Sequence, residues 1–280
     1  MIGLVVAVAG IAAFSTTTVH ASKISSNYSF NAEKSGAGSV PYTVKSSVKS
    51  GYIWNYSHTK KIHNIKNYPN SNWYVNYASV KKYNQKSAVY YRISSNSGNV
   101  KGLIWSGYLT RLLSKAPSEF NTQSSFETYM QTARSQRLAR QVMKLFPNSK
   151  LSLDLSQITQ NVNANHPLKT EKYTGIINVG VLKPTGNTDT LSISEKVGGD
   201  MAGGAITPRA TYIKRVLENN GFTQEKRNSM SNYYLGIYMP DNAQVMSDFP
   251  KNFSFTSPYP MENQDEGMNG IVQIFLAKLK

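Results

Sequence analysis

Val89, Tyr91 and Ile93 alternate with Tyr90 and Arg92, the run Ser94-Ser-Asn-Ser-Gly-Asn99 supplies turn residues, and Gly102-Leu-Ile-Trp105 returns. This period-two pattern specifies a β-hairpin, because successive strand side chains point to opposite faces. Val89, Tyr91 and Ile93 are thereby assigned to one face, and Tyr90 and Arg92 to the other. β-Branched or aromatic runs over 42–47, 51–55, 73–80, 87–94 and 101–110 are separated by Asn, Ser, Gly and Pro clusters. Short strands at this spacing, with no helical pattern, predict a small all-β barrel of the SH3 type over 41–115. Within it Gly51-Tyr-Ile-Trp54 and Gly102-Leu-Ile-Trp105 echo each other.

The same region carries a one-sided charge. From Ser35 to Ser118 there is no aspartate or glutamate, against twelve Lys and Arg, and all three tryptophans and ten of the eighteen tyrosines lie there. Residues 23–115 hold 14 Lys and Arg against Glu33, a net of +13, whereas residues 116–280 hold 17 against 14 acids, a net of +3. Mixed charge solubilises equally well, so uncompensated cations interleaved with amphipathic rings point to an anionic partner. Lys60, Lys61, Lys66, Lys81, Lys82, Lys86, Arg92 and Lys101 are the candidate polyanion contacts, lysine acting as a point charge toward phosphate. Trp54, Trp73 and Tyr108 are the candidate stacking platforms. Trp105, close to Gly102, is expected in the core.

The N-terminal residues belong to neither half. Leu4 to Phe14 is an unbroken apolar and small-residue run, followed by Ser15-Thr-Thr-Thr18 and Val19-His-Ala21. It reads as a secretory signal, residues 1–21, cleaved after Ala21, with no transmembrane segment expected after cleavage. Residues 22–40, rich in Ser, Gly, Ala and Asn, are expected to form a flexible spacer. The chain has no cysteine, which excludes thiol catalysis, thiolate metal sites and disulfide staples.

Residues 51–69 (Gly-Tyr-Ile-Trp-Asn-Tyr-Ser-His-Thr-Lys-Lys-Ile-His-Asn-Ile-Lys-Asn-Tyr-Pro), Trp73-Tyr-Val, Val89-Tyr-Tyr-Arg-Ile and Gly102-Leu-Ile-Trp-Ser-Gly-Tyr-Leu109 resemble the GW or SH3b-like modules of Gram-positive surface proteins. The resemblance covers 41–113, with Gly-Leu-Ile-Trp standing where the family carries its Gly-Trp signature. It implies a tethering module that holds lipoteichoic acid or another anionic wall polymer, in a secreted, wall-associated protein. The same charges also suit an adhesin for sulfated host glycosaminoglycans.

From 116 onward the pattern changes to that of an α+β domain, residues 116–280, resembling no family. Ser124-x-x-Glu127 is a capping box opening a helix, and the apolar positions through Phe146 fit two helical pieces meeting near Ser135 and stopped by Pro147. Asp154-x-x-Gln157 is expected to open a short helix running to Val162. Residues 173–182 and 188–194 read as strands, Thr207-Pro208 starts a helix closed by Gly221, and 233–239 and 271–279 read as further strands.

The tests for catalysis are negative or open. Ser46-Ser-Val-Lys49, Ser57-His-Thr-Lys60 and Ser79-Val-Lys-Lys82 match Ser-x-x-Lys, yet the chain has no Lys-Thr-Gly. His58, His63 and His166 lack metal-binding spacing, and lysines around the first two repel a metal. No metal, cofactor or physiological nucleic-acid partner is expected. Gly198 to Gly204 lacks the P-loop lysine and reads as a turn. A wall hydrolase with its catalytic domain in 116–280 would need two converging carboxylates, with Glu262, Asp265 and Glu266 clustered in one loop.

Overall fold

The computed structural model describes residues 23–29, 40–83, 86–95, 98–160, 170–186, 190–201, 204–240, 244–245 and 272–280. The expected signal, His166, and the loop carrying Glu262, Asp265 and Glu266 lie outside the described residues.

The first unit is a large antiparallel sheet of eight described strands. These are β1 (Lys23–Ser29), β2 (Val40–Val44), β3 (Tyr52–Trp54), β4 (Lys61–Asn64), β5 (Trp73–Tyr83), β6 (Lys86–Ser95), β7 (Lys101–Trp105) and β8 (Leu109–Arg111). They run in the order β4-β3-β7-β6-β5-β2-β8, with β1 also beside β5. Residues 23–29, expected in a flexible spacer, therefore correct that reading: their backbone completes the edge of β5, from Lys23 opposite Lys82 to Ser29 opposite Tyr77. A strand edge left open would present unpaired amides and carbonyls.

One buried face closes the unit around Trp73, Ile53, Val75, Ile93, Ile104 and Ile65, each 2 % exposed or less. Tyr42 packs on Tyr91 with ring centroids 5.3 Å apart, and Tyr68 meets Trp73 edge-on at 5.8 Å. Val89 packs against this core beside buried Tyr91 and Ile93, while Arg92 is exposed on the other side.

A single irregularity decides which residues of β5 face out. Trp73 and Val75 point into the core, but the register against β6 shifts between Val75 and Tyr77. An extra residue on one strand inverts the alternation beyond it. Ala78 is then in the core, while Ser79 lies opposite Tyr90 and Lys81 opposite Ala88, so both share the outer face with Tyr90.

The second unit packs helices on a mixed sheet of four described strands, order β10-β12-β14-β11. The sheet comprises β10 (Lys150–Leu151), β11 (Tyr173–Asn178), β12 (Tyr234–Tyr238) and β14 (Gln273–Leu279). The helices are α1 (Gln123–Thr132), α2 (Arg137–Leu145), α3 (Leu153–Gln160), α4 (Ile206–Asn219) and α5 (Gln224–Asn228). Phe126, Met130, Leu138, Val142, Ile213, Val216, Ile237 and Ile274 fill the core between them. The break expected near Ser135 is a 3-10 turn, Arg134–Gln136.

Several local expectations shift. α1 is capped by Thr122, whose side chain accepts from the Ser125 amide, and so begins before Ser124. The Ser152 hydroxyl accepts from the Leu155 amide at 3.1 Å and caps α3 in place of Asp154, which instead pairs with Lys172 at 3.1 Å; Val162 lies outside the described residues. Of the strand expected at 188–194, residues 188 and 189 lie outside the described residues, and the rest ends in one helical turn, Ile193–Glu195, because Ser192 and Glu195 cap each other reciprocally. Strand β11 sits at the sheet's edge, so only Tyr173 of it is buried. Lys196–Asp200 is a π-helical segment and not a simple turn.

The two units are joined closely. β9 (Leu113–Ser114), at the end of the first, pairs in parallel with β13 (Gln244–Val245) of the second. Arg134 Nη2 donates to the carbonyls of Pro69 at 2.6 Å and Ser71 at 3.2 Å. Arg137 donates to Asn72 Oδ1 at 2.8 Å and to the Asn70 carbonyl.

Candidate aromatic and cationic binding face

The outer face of the first sheet is built by two neighbouring strands. Strands β3 and β7 run antiparallel with Ile53 opposite Ile104 and Trp54 opposite Leu103. Ile53 and Ile104 point into the core, so alternation turns Tyr52, Trp54, Leu103 and Trp105 outward. Strand β6 adds Tyr90 opposite Trp105 and Arg92 opposite Leu103. Glycines make the packing possible. A Cβ on Gly102 would lie 2.4 Å from the Trp54 carbonyl oxygen, one on Gly107 would lie 2.5 Å from the Trp105 ring, and one on Gly51 would lie 2.6 Å from the Tyr108 ring.

On this face the rings touch one another and carry cations. Trp105 and Tyr108 meet edge-on at 4.9 Å. Lys61 Nζ stands 4.2 Å from the Tyr52 centroid and 5.5 Å from that of Trp54, and the Arg92 guanidinium lies 4.4 Å from the centroid of Tyr56. Such stacking leaves each cation's charge available to a ligand while fixing its position. Tyr52, Tyr56 and Trp105 are each more than 40 % exposed. Burial first, and then the nearby Tyr108, raise the Tyr90 hydroxyl above the usual tyrosine pKa; burial and then Tyr52 raise that of Tyr108.

The segment joining β3 to β4 folds over this face as a closed loop. The Asn55 amide donates to the Lys60 carbonyl at 2.9 Å, and Asn55 Oδ1 accepts from the amides of Thr59 at 2.8 Å and Lys60 at 3.0 Å. Its apex, His58, adopts a left-handed backbone with φ 59°, a conformation costly for a residue with a Cβ. The His58 ring is buried between Trp54, at 4.5 Å, and Tyr90, at 4.4 Å. Burial, then the nearby Lys81 ammonium, lower its pKa to about 4.

No family model matches this chain, and neither does any curated protein or solved structure. The site therefore rests on its own geometry.

The structure sorts the residues singled out from the sequence. Trp54 and Tyr108 lie on the outer face. Trp73 does not: it is 0 % exposed, on the core side of the β5 irregularity, where no ligand can stack on it. Trp105, expected in the core, is 41 % exposed and takes its place, because the 3-10 turn Ser106–Tyr108 directs the chain away and Gly107 makes room for its indole. Lys61, Lys86, Arg92 and Lys101 fall on the outer face by register and are exposed, as is Lys60 in the loop. Lys82 is exposed on the opposite face of the hairpin, and Lys66 is exposed in the 3-10 turn Ile65–Asn67. Lys81 is 3 % exposed and is corrected from a surface contact to a buried group. Tyr52, Tyr56 and Tyr90 were missed; the alternation of Tyr52 with Ile53 was the signal for the first.

In the second unit the acids with defined neighbours serve the fold. Glu119 accepts from the Ala116 amide, Glu195 from that of Ser192, Asp200 pairs with Lys196, and Glu218 with Lys214 and Arg227. No group of three or more metal-ligating side chains occurs among the described residues. No helix among the described residues is long and apolar enough to cross a membrane.

Proposed function

We propose that this chain is a secreted, wall-associated protein that holds an anionic, phosphate-bearing envelope polymer, of the teichoic or lipoteichoic acid kind, on the outer face of its first unit. The observation that carries the reading is the gathering of Tyr52, Trp54, Tyr56, Trp105 and Tyr108 with Lys61, Arg92 and Lys101 on one face of a region without acids. Rings stack on the sugar or polyol part of such a chain, and the cations meet its phosphates. The finer architectural reading, an SH3-like barrel, is supported by the long β5–β6 hairpin, the 3-10 turn before β8 and the bonding of β2 to both β5 and β8.

The test uses the full-length protein on purified walls. Retention should fall steeply as salt rises through a few tenths molar, since exposed charges are screened beyond about 8–10 Å. It should also be far weaker on walls stripped of teichoic acid. Heparin beads form the second arm: retention on stripped walls in high salt, or heparin binding that outlasts wall binding as salt rises, would overturn the phosphate-polymer reading.

A further inference from the structure

The outer face holds one group that surface attraction does not explain. Lys81 is 3 % exposed, and its Nζ has no hydrogen-bond partner among the described residues. The sequence provides no carboxylate between Ser35 and Ser118 to serve as its counter-ion. Burying an ammonium unpaired is costly, and burial accordingly lowers the Lys81 pKa below the usual lysine value. The group lies by register beside Ser79, Ala88 and Tyr90, and close enough to His58 to depress that ring's pKa.

His58 itself is held in an unfavourable way. Its left-handed backbone inserts a ring between Trp54 and Tyr90, at centroid distances of 4.5 and 4.4 Å. The Trp54 plane is tilted by 34° from the imidazole and Tyr90 meets it edge-on at 69°, so the space the imidazole fills has one ring face and one ring edge as walls and is the size of a single small ring. Strain at a loop apex of this kind is a store that a ligand can release.

We infer that Trp54, Tyr90 and Lys81 form a phosphate-binding slot with the His58 ring as its stopper. When the stopper swings out, a sugar or polyol unit of the ligand sits between the two rings, and a phosphate oxygen accepts a hydrogen bond from Lys81 Nζ. The buried ammonium thereby gains a counter-ion that none of the described residues supplies. The identity of the polymer rests on the function proposed above; the slot itself adds a salt-resistant contact to a face whose other cations act through screened charge.

Two variants and two small probes test the slot in the full-length protein. Glycerol 1-phosphate should shift the His58 ring resonances saturably in 0.5 M salt, whereas glycerol alone should not. Lys81→Met should abolish that shift and raise the melting temperature, since an apolar side chain replaces an unpaired buried cation. Preserved shifts in Lys81→Met, or a shift with glycerol alone, would overturn the slot. His58→Gly removes the stopper and relieves the left-handed backbone, so glycerol phosphate read by Trp54 fluorescence should bind roughly threefold to tenfold tighter; unchanged or weaker binding counts against the stopper role. On walls, the salt-resistant fraction of retention should vanish in Lys81→Met while the salt-sensitive fraction persists. If the unaltered protein ignores walls yet keeps the glycerol phosphate shift, the polymer reading fails and the slot stands. If it binds walls and Lys81→Met retains the salt-resistant fraction, the slot fails and the polymer reading stands.

Discussion

Ile53 and Ile104 face each other across β3 and β7, both 0 % exposed, and this one pair places Trp54 and Trp105 on the same outer side of the sheet. The two Gly-x-Ile-Trp-like segments of the sequence are thus adjacent antiparallel strands, each sending its isoleucine inward and its tryptophan outward. Their first residues also share a purpose, since neither Gly51 nor Gly102 has room for a Cβ.

The exposed and buried tryptophans should separate binding from stability. Trp105→Ala removes a 41 % exposed ring and should cost on the order of 1–3 kcal/mol of polymer affinity, by analogy with base stacking, with little change in melting temperature. Trp73→Ala empties a core position and should cost on the order of 3–5 kcal/mol of stability. Wall pull-downs and thermal melts on both variants decide it; a large melting shift in Trp105→Ala would put that ring in the core after all.

Gly102→Ala should be among the most damaging single-methyl changes in the first unit. Its Cβ would meet the Trp54 carbonyl oxygen at 2.4 Å and the Ile53 side chain at 2.6 Å, and backbone cannot swing aside as a flexible side chain can. A loss on the order of 3 kcal/mol is expected from overpacking. Gly98→Ala, with φ +72° but open space around the new Cβ, should cost only about 1 kcal/mol. Equal losses in urea unfolding of the two variants would mean that β3 and β7 can move apart.

The hairpin from Val89 to Trp105 was readable because period-two alternation survives without interruption there, and β6 and β7 pair as that pattern requires. The fate of Trp73 and Lys81 was not readable, because the register shift between Val75 and Tyr77 leaves no glycine or proline to mark it. Trp105 was misplaced for a related reason: proximity to Gly102 suggested burial, but the 3-10 turn that follows aims the ring at Tyr108. At α1 and α3 the helices were foreseen and their caps were not, since Thr122 and Ser152 compete with equally good capping residues two positions on. The left-handed backbone at His58 has no sequence signal, as histidine adopts it only where surrounding contacts hold it.

Acid should destabilise the first unit through His58. Its pKa is lowered from 6.5 to about 4 in the fold, chiefly by burial and then by Lys81, so the unfolded chain binds the extra proton between those values. Stability rises with pH wherever the unfolded state holds more protons. The contribution is therefore complete above pH 6.5 and is lost as pH falls toward 4, by about 1–3 kcal/mol, since solvent at the loop screens part of it. His58→Gln should flatten that part of the pH profile in urea unfolding measured from pH 7.5 to pH 4. A profile of unchanged steepness would assign the acid sensitivity to other groups.

The junction between the units should depend on two arginines. Arg134 and Arg137, flanking the start of α2, reach the Pro69–Asn72 segment through three backbone carbonyls and the Asn72 side chain. Charged donors to well-placed acceptors contribute about 1.5–3 kcal/mol each when buried, and less where water reaches them. The clamp is half-exposed, so Arg134→Ala with Arg137→Ala should cost about 1–3 kcal/mol in total. The pairing of β9 with β13 and the bonds of the Tyr129 hydroxyl to Ser114 and to the Lys115 amide remain in place. Calorimetry should therefore show the transitions of the two units drawing apart, while the aromatic face keeps its wall affinity within twofold at low salt. A single transition at the original temperature would show that the arginines add nothing to the union, and a collapse of wall binding would show that the second unit helps to shape the binding face.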